Sequence, residues 1–152
     1  MDVKKVLWPT DFSSQAEVAL PYVQSLTQQF QAEIHVLHVI EDIAHHEGWY
    51  GEFGRDHIEK LKEKLKDRAA ERLDQVCQRH LEGCPLFIRH VAVGDPAEKI
   101  LHFIGQENID TVVMATRGSK SSDFFGSVTE RVIKSSPVPV TAIPTAGEAQ
   151  TA

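Results

Sequence analysis

The chain has 152 residues, enough for one domain with a proper core and little room for two. Apolar residues make up 41% and charged residues 25%, an ordinary balance for a soluble globular protein, and the net charge of −6 argues against a general nucleic-acid binder, whose phosphate partner demands a basic face. No apolar run approaches membrane-spanning length, the N-terminus carries no signal-peptide core, and Cys77 and Cys84 form no metal or CxxC pattern, so a cytoplasmic, reducing setting is expected.

Val6-Leu7-Trp8, closed by Pro9, predicts a short buried strand. Thr10 to Ser14 reads as a turn, and Ser14 with Glu17 offers a capping box for a helix. Ala19, Val23, Leu26 and Phe30 recur at helical spacing and predict its buried face. Pro21 lies inside that pattern and should bend or interrupt the helix near Glu17. Ile34 to Ile40 is β-branched and almost continuously apolar, the mark of a central strand. His35 and His38 interrupt it, and are expected as hydrogen-bonded core or ligand-side residues.

Glu41 to Asp56 reads as a long loop. Trp49 and Tyr50 there suit a pocket lid, a partner contact or simple loop packing equally well. His45, His46 and His57 match no compact metal spacing with Glu47 or Asp56. His57 to His80 is the longest helical pattern, with Ile58, Leu61, Leu65, Ala69, Leu73 and Val76 along one stripe. Lys62, Glu63, Lys66, Asp67 and Glu71 read as its solvated face, and Gly83 and Pro85 as its stop.

Leu86 to Val93 predicts a third strand. In Gly94-Asp-Pro-Ala-Glu98 a helix starts with Asp95 as N-cap, Pro96 at the first helical position and Glu98 completing the box. Ile100, Leu101, Phe103 and Ile104 form its apolar face, and Gly105 is expected to end it. Thr111 to Ala115 predicts a fourth strand. Gly118 and a small polar segment then lead to Gly126-Ser127, where Ser127 and Glu130 fit a capping box and Val128, Val132 and Ile133 should turn inward. Strand, glycine loop and helix start form a phosphate-cradling layout, because the first N–H groups of a helix attract anions. Val138 to Ile143 predicts a fifth strand, framed by Pro137, Pro139 and Pro144.

Alternating apolar strands and amphipathic helices mean an α/β fold with a parallel sheet covered on both faces. Ligands in such sheets bind beyond the C-terminal strand ends. Three stretches reach that edge: Pro9-Thr10-Asp11, Val39-Ile40, and Ala115 to Ser127. Asp11 also suits a turn former that caps the first helix, and core packing alone explains Val39. No catalytic constellation stands out: there is no Walker A pattern, no GxSxG, and no evident base beside either cysteine.

Lys4-Lys-Val-Leu-Trp-Pro-Thr-Asp-Phe-Ser13, Leu37-His-Val-Ile40, Val93-Gly-Asp-Pro96, Gly126-Ser-Val-Thr-Glu130 and Pro137-Val-Pro-Val140 resemble, in order, the universal stress protein family. The resemblance implies a single Rossmann-like, three-layer domain over residues 1–144, with strand order 3-2-1-4-5 and a flexible tail at 145–152. It also implies a cytoplasmic homodimer paired through Val138 to Ile143. One branch of the family binds ATP through Gly, two residues, Gly, nine residues, Gly and Ser or Thr. Here Gly118 and Gly126-Ser127 match, Ala115 stands at the first glycine, and the spacer Ser119 to Phe125 has seven residues. The resemblance places Pro9, Thr10 and Asp11 at the nucleoside, with Asp11 accepting from a ribose hydroxyl and suited to help hold Mg²⁺. It places Val39 against adenine, and Ala115, Gly118, Gly126, Ser127 and Val128 around the phosphates. Arg117 and Lys120 add positive charge there, which Asp123 would oppose if it points inward.

Two functions are therefore expected in competition. One is an ATP-binding regulatory dimer of the stress response with at most slow hydrolysis. The other is an interaction protein with a vestigial pocket, resting on Ala115 and the shortened spacer, and working through its dimer surface and the His45 to Asp56 loop on an unidentified protein partner.

Overall fold

The computed structural model describes residues 2–41, 55–81, 86–117 and 126–145. Strands β1 (Lys5–Pro9), β2 (Glu33–Glu41), β3 (Phe87–Gly94), β4 (Thr111–Ala115) and β5 (Val140–Ile143) pair in parallel in the order β3-β2-β1-β4-β5. The expected strand order and three-layer α/β architecture are both present. Pro9 lies opposite Leu37, and Ala115 opposite Ile143.

Alternation along the strands divides the core. Val6, Trp8, Ile34, Val36 and Val113 join Ala19, Leu20, Val23, Leu73 and Cys77 in one cluster. These come from α2 (Leu20–Phe30), the residue before it, and α3 (Arg55–His80). On the other face Leu7, Leu37, Val112 and Met114 meet Ala97, Ile100, Phe103, Ile104 and Val132, from α4 (Pro96–Gln106) and α5 (Ser127–Ser135). Trp8 is fully buried and its indole N–H donates to the Ala16 carbonyl at 3.2 Å, which satisfies the ring's one polar atom.

The first helix is interrupted as Pro21 foretells. A single turn, α1 (Ser14–Glu17), stops at Val18, and α2 restarts with Pro21 in its first turn, where a missing N–H costs nothing. Its cap is Ser13, not Ser14: the Ser13 hydroxyl accepts from Ala16 N at 3.1 Å. The buried stripe of α2 is Leu20, Val23 and Thr27, so Phe30 comes out at the flank, 40% exposed. In α5 the inward residues are Thr129 and Val132, and Ile133, one residue round the helix, is 41% exposed. Helix α4 runs through Gly105. Asn108, with φ 55°, supplies the left-handed residue just after it.

The fifth strand begins at Val140 rather than Val138. The Ser136 hydroxyl accepts from Val138 N and donates to Val138 O, folding 136–138 into a turn before the ladder can start. Pro139 still serves the sheet through its carbonyl, which accepts from Val112 N at 3.0 Å. The packed chain extends at least to Thr145, which is buried.

Candidate functional site

The turn after β1 is held from several sides. Thr10 N donates to Leu37 O at 2.9 Å, the Thr10 hydroxyl accepts from Phe12 N at 3.0 Å, and the Thr10 carbonyl accepts from His38 Nδ1 at 2.9 Å. Asp11 stands exposed beyond buried Thr10, and its Oδ1 accepts from Ser13 N at 2.9 Å and from the Ser13 hydroxyl. Both expectations for Asp11 thus share one place: it shapes the turn that caps α1, and it stands at the C-terminal edge of the sheet. His38 faces Phe12, ring to ring at 4.2 Å, and the Arg72 guanidinium lies over the Phe12 ring, 4.3 Å from its centroid. Burial pushes the His38 imidazole below its ordinary pKa. The bond to Thr10 opposes that shift, Arg72 adds to it and Asp11 opposes it.

After β4 the chain closes on itself. Thr116 N donates to Ile143 O at 2.9 Å, Gly126 N donates to Thr116 O at 2.7 Å, and the Thr129 hydroxyl donates to Ala115 O at 2.9 Å. Those bonds fix where α5 begins. Gly126 is its N-cap, with φ −69° and ψ 154°, and among the described residues no side chain caps the helix. The expected Ser127–Glu130 box is therefore not formed. Ser127 is already helical, and the Glu130 carboxylate pairs instead with Lys134 at 2.8 Å, which holds its pKa below the ordinary range. Gly118 lies outside the described residues, as do Lys120, Asp123, His45, His46, Trp49 and Tyr50.

An open cleft of about 260 Å³ lies where α4 and α5 begin, lined by Glu41, Gly94, Asp95, Pro96, Ser127, Val128 and Arg131. Val128 lines it, and Val39 packs against the same α4–α5 side of the core. Arg131 spans the cleft: Nη1 donates to Asp95 Oδ2 at 2.9 Å, and Nη2 is 4.0 Å from Glu98 Oε1. Gly94 takes φ 149°, a conformation that side chains with a Cβ rarely adopt, so the rim favours glycine there. Arg117 is turned toward β5, its Nε donating to the Thr145 hydroxyl at 2.8 Å. The structure thus brings Ser127, Val128 and Val39 to one side, and Pro9, Thr10 and Asp11 to the neighbouring strand end. Glu41, Asp95 and Arg131 as cleft residues were not foreseen. The one signal for Arg131 is its place four residues after Ser127, on the same helix face.

Among the described residues no group of three or more His, Cys, Asp or Glu is placed to hold a metal ion, and no helix is long and apolar enough to cross a membrane.

Residues 2–144 match the sequence profile of the universal stress protein family. Universal stress protein MJ0577 of Methanocaldococcus jannaschii is 31% identical over 154 residues, spanning 90% of this chain and 92% of that protein. The solved structure of protein MJ0577 superposes with a TM-score of 0.83 at 30% identity, over 97% of this chain and all of that one. Universal stress protein UspA from Lactobacillus plantarum superposes with a TM-score of 0.76 at 26% identity, over 94% of this chain and 99% of that one. The universal stress protein from Archaeoglobus fulgidus in complex with dAMP shares the fold, with a TM-score of 0.62 at 20% identity over 94% of this chain and 99% of that one.

Proposed function

The chain belongs to the universal stress protein family, and from that premise we propose that it binds ATP, as a cytoplasmic homodimer whose contacts with a protein partner change with occupancy. The observation that carries the proposal is the start of α5, whose N-cap is a glycine with no side chain to offer and which opens on a cleft of about 260 Å³ at the ligand edge of the sheet. First-turn N–H groups of an uncapped helix suit phosphate oxygens. The cleft is slightly below the usual pocket range of roughly 300–1,000 Å³, a size suited to the phosphate end of a nucleotide. In this reading Ser127 and Val128 receive phosphates with Gly118, Gly126 and Ala115 around them. Val39 lies against the base, and Pro9, Thr10 and Asp11 flank the nucleoside. The dAMP complex of the Archaeoglobus fulgidus protein supports the reading, because the same fold there holds an adenine nucleotide. Magnesium would come with the triphosphate, and Asp11 is the carboxylate suited to help hold it. Hydrolysis is slow at most.

The dimer in this reading pairs through the C-terminal edge, now Val140 to Ile143 with the Pro137–Pro139 turn before it. That strand has a partner in the sheet on one side only and is half-buried throughout.

A second reading, an interaction protein with a vestigial pocket, draws support from Arg131, a cationic residue of the cleft lining, being already engaged by Asp95 at 2.9 Å. Calorimetric titration with Mg²⁺ and ATP separates the two. Micromolar affinity is expected. No heat of binding at millimolar nucleotide would overturn ATP binding and leave the second reading standing.

A further inference from the structure

We propose that His38 is a positioning residue of the nucleotide site, holding the Thr10–Phe12 turn in the shape that presents Asp11 at the edge of the sheet. This rests on the nucleotide-binding reading above.

The turn is strained. Phe12 has φ 66°, a left-handed conformation that a bulky aromatic residue adopts only when its surroundings impose it. Three contacts surround it. Phe12 N donates to the Thr10 hydroxyl, the Phe12 ring lies against His38, and Arg72 stacks on the same ring. The Thr10 carbonyl is the pivot, because reversing its peptide would carry Asp11 with it. A carbonyl only accepts, so His38 Nδ1 carries the hydrogen in this 2.9 Å bond, which makes the neutral ring the Nδ1–H tautomer.

The residue type supports the role. Neighbours Val36, Leu37 and Val39 on β2 are apolar, and an apolar side chain at 38 would pack on Phe12 without the penalty of burying an imidazole. What histidine adds is an N–H aimed at Thr10. The charged groups facing the ring are Arg72 from α3 and Asp11 from the turn. They carry opposite signs, so the neutral ring serves as a neutral donor.

Two variants separate the hydrogen bond from the packing. In His38→Asn the amide nitrogen takes the place of Nδ1 and keeps the donor. In His38→Leu the donor is gone and the bulk remains. Amide hydrogen exchange on the full-length protein reads the turn directly. His38→Leu should speed exchange at Thr10 and Phe12 by about tenfold, with Val112 in the sheet unchanged, and His38→Asn should stay within about threefold of the parent. Titration with Mg²⁺ and ATP reads the consequence: affinity about tenfold weaker for His38→Leu and within about threefold for His38→Asn. Unchanged exchange in His38→Leu overturns the positioning role. So does equal ATP affinity in all three proteins, which would leave the nucleotide reading intact. No ATP binding by the parent overturns that reading instead, and the exchange data then decide the role of His38 alone.

Discussion

Helices α4 and α5 begin side by side at the C-terminal edge of the sheet, and their first turns are finished differently. At α4 the Asp95 carboxylate accepts from Glu98 N at 3.0 Å, Pro96 removes a further N–H, and the same Asp95 oxygen accepts from Arg131 at 2.9 Å. The protein thus removes two of that helix start's four N–H groups from any ligand. At α5 the N-cap is Gly126, whose only polar groups are backbone ones, and its N–H is already given to Thr116 O. Four N–H groups at a helix start need partners. An end that brings no side chain of its own is the end that can take them from an anion. The difference is what the proposed phosphate site at α5 rests on, although both helix starts border one cleft.

The largest test is Gly126→Val. With φ −69° and ψ 154° the backbone admits a β-branched residue, and because Gly126 is buried a melt without ligand first checks that the variant folds. The added side chain stands over the first-turn N–H groups, and ATP affinity should fall at least about tenfold, roughly 1.4 kcal/mol. Thermal melts should show ATP raising the parent's midpoint and leaving the variant's unmoved. An equal shift in both proteins would show that phosphate does not rest on α5.

Asp95→Ala strikes the other helix start. Losing the cap should cost about 1 kcal/mol, within the usual range of about 0.5–2 for such caps. The exposed pair with Arg131 adds little, since ion pairs of that kind are worth about 0–1 kcal/mol. Urea unfolding midpoints measure it. A loss of ATP binding with stability intact would reverse the roles proposed for the two helices.

The same pair of helix starts explains what could be read from sequence. Asp95-Pro96-Ala97-Glu98 was legible because its cap is local: donor and acceptor lie three residues apart. Ser127-Val-Thr-Glu130 has the same spelling and was misread. There the helix boundary is set by Gly126 N reaching Thr116 O, a bond across ten residues that no local pattern contains. The covered parallel sheet followed from apolar alternation, which each segment carries within itself, whereas the strand order was implied by the family resemblance and no single segment contains it. The early end of the β5 pattern did not follow from alternation, because the Ser136 hydroxyl decided it. The Arg131–Asp95 link across the cleft joins residues 36 apart, and only the packing of α5 against α4 creates it.

A smaller effect depends on pH and reaches α4 through the sheet. His90 packs edge-on against Phe103 of α4 at 4.4 Å between ring centroids, and its Nε2 lies 3.1 Å from His35 Nδ1. Burial first, then His35, lower the His90 pKa from its ordinary 6.5, with Glu107 opposing. Below pH 6.5 the unfolded chain takes up a proton that the folded one refuses. The contribution is therefore present above 6.5 and is lost as pH falls toward the lowered folded value. Melting midpoints should fall on acidification through that window, and less steeply in His90→Gln. Identical slopes would remove His90 from the account. The effect should stay modest, because the ring is only half-buried.

The smallest expected change is Ser127→Ala, and it bears directly on the contrast between the two helices. Ser127 is exposed and lies inside α5, with Gly126 before it as the cap. Its side chain therefore holds no first-turn N–H, and its removal should move stability by less than about 0.5 kcal/mol, the range for surface changes away from caps and cores. If Ser127 were the cap that its sequence suggests, the cost would match Asp95→Ala at about 1 kcal/mol. Urea midpoints of the two variants, measured together, distinguish these outcomes. The backbone N–H of residue 127 survives the substitution, so ATP affinity should drop by less than the tenfold expected of Gly126→Val. A Ser127→Ala protein as destabilised as Asp95→Ala would mean that α5, too, is capped by the protein's own side chain, and its start would then have fewer N–H groups to offer a phosphate.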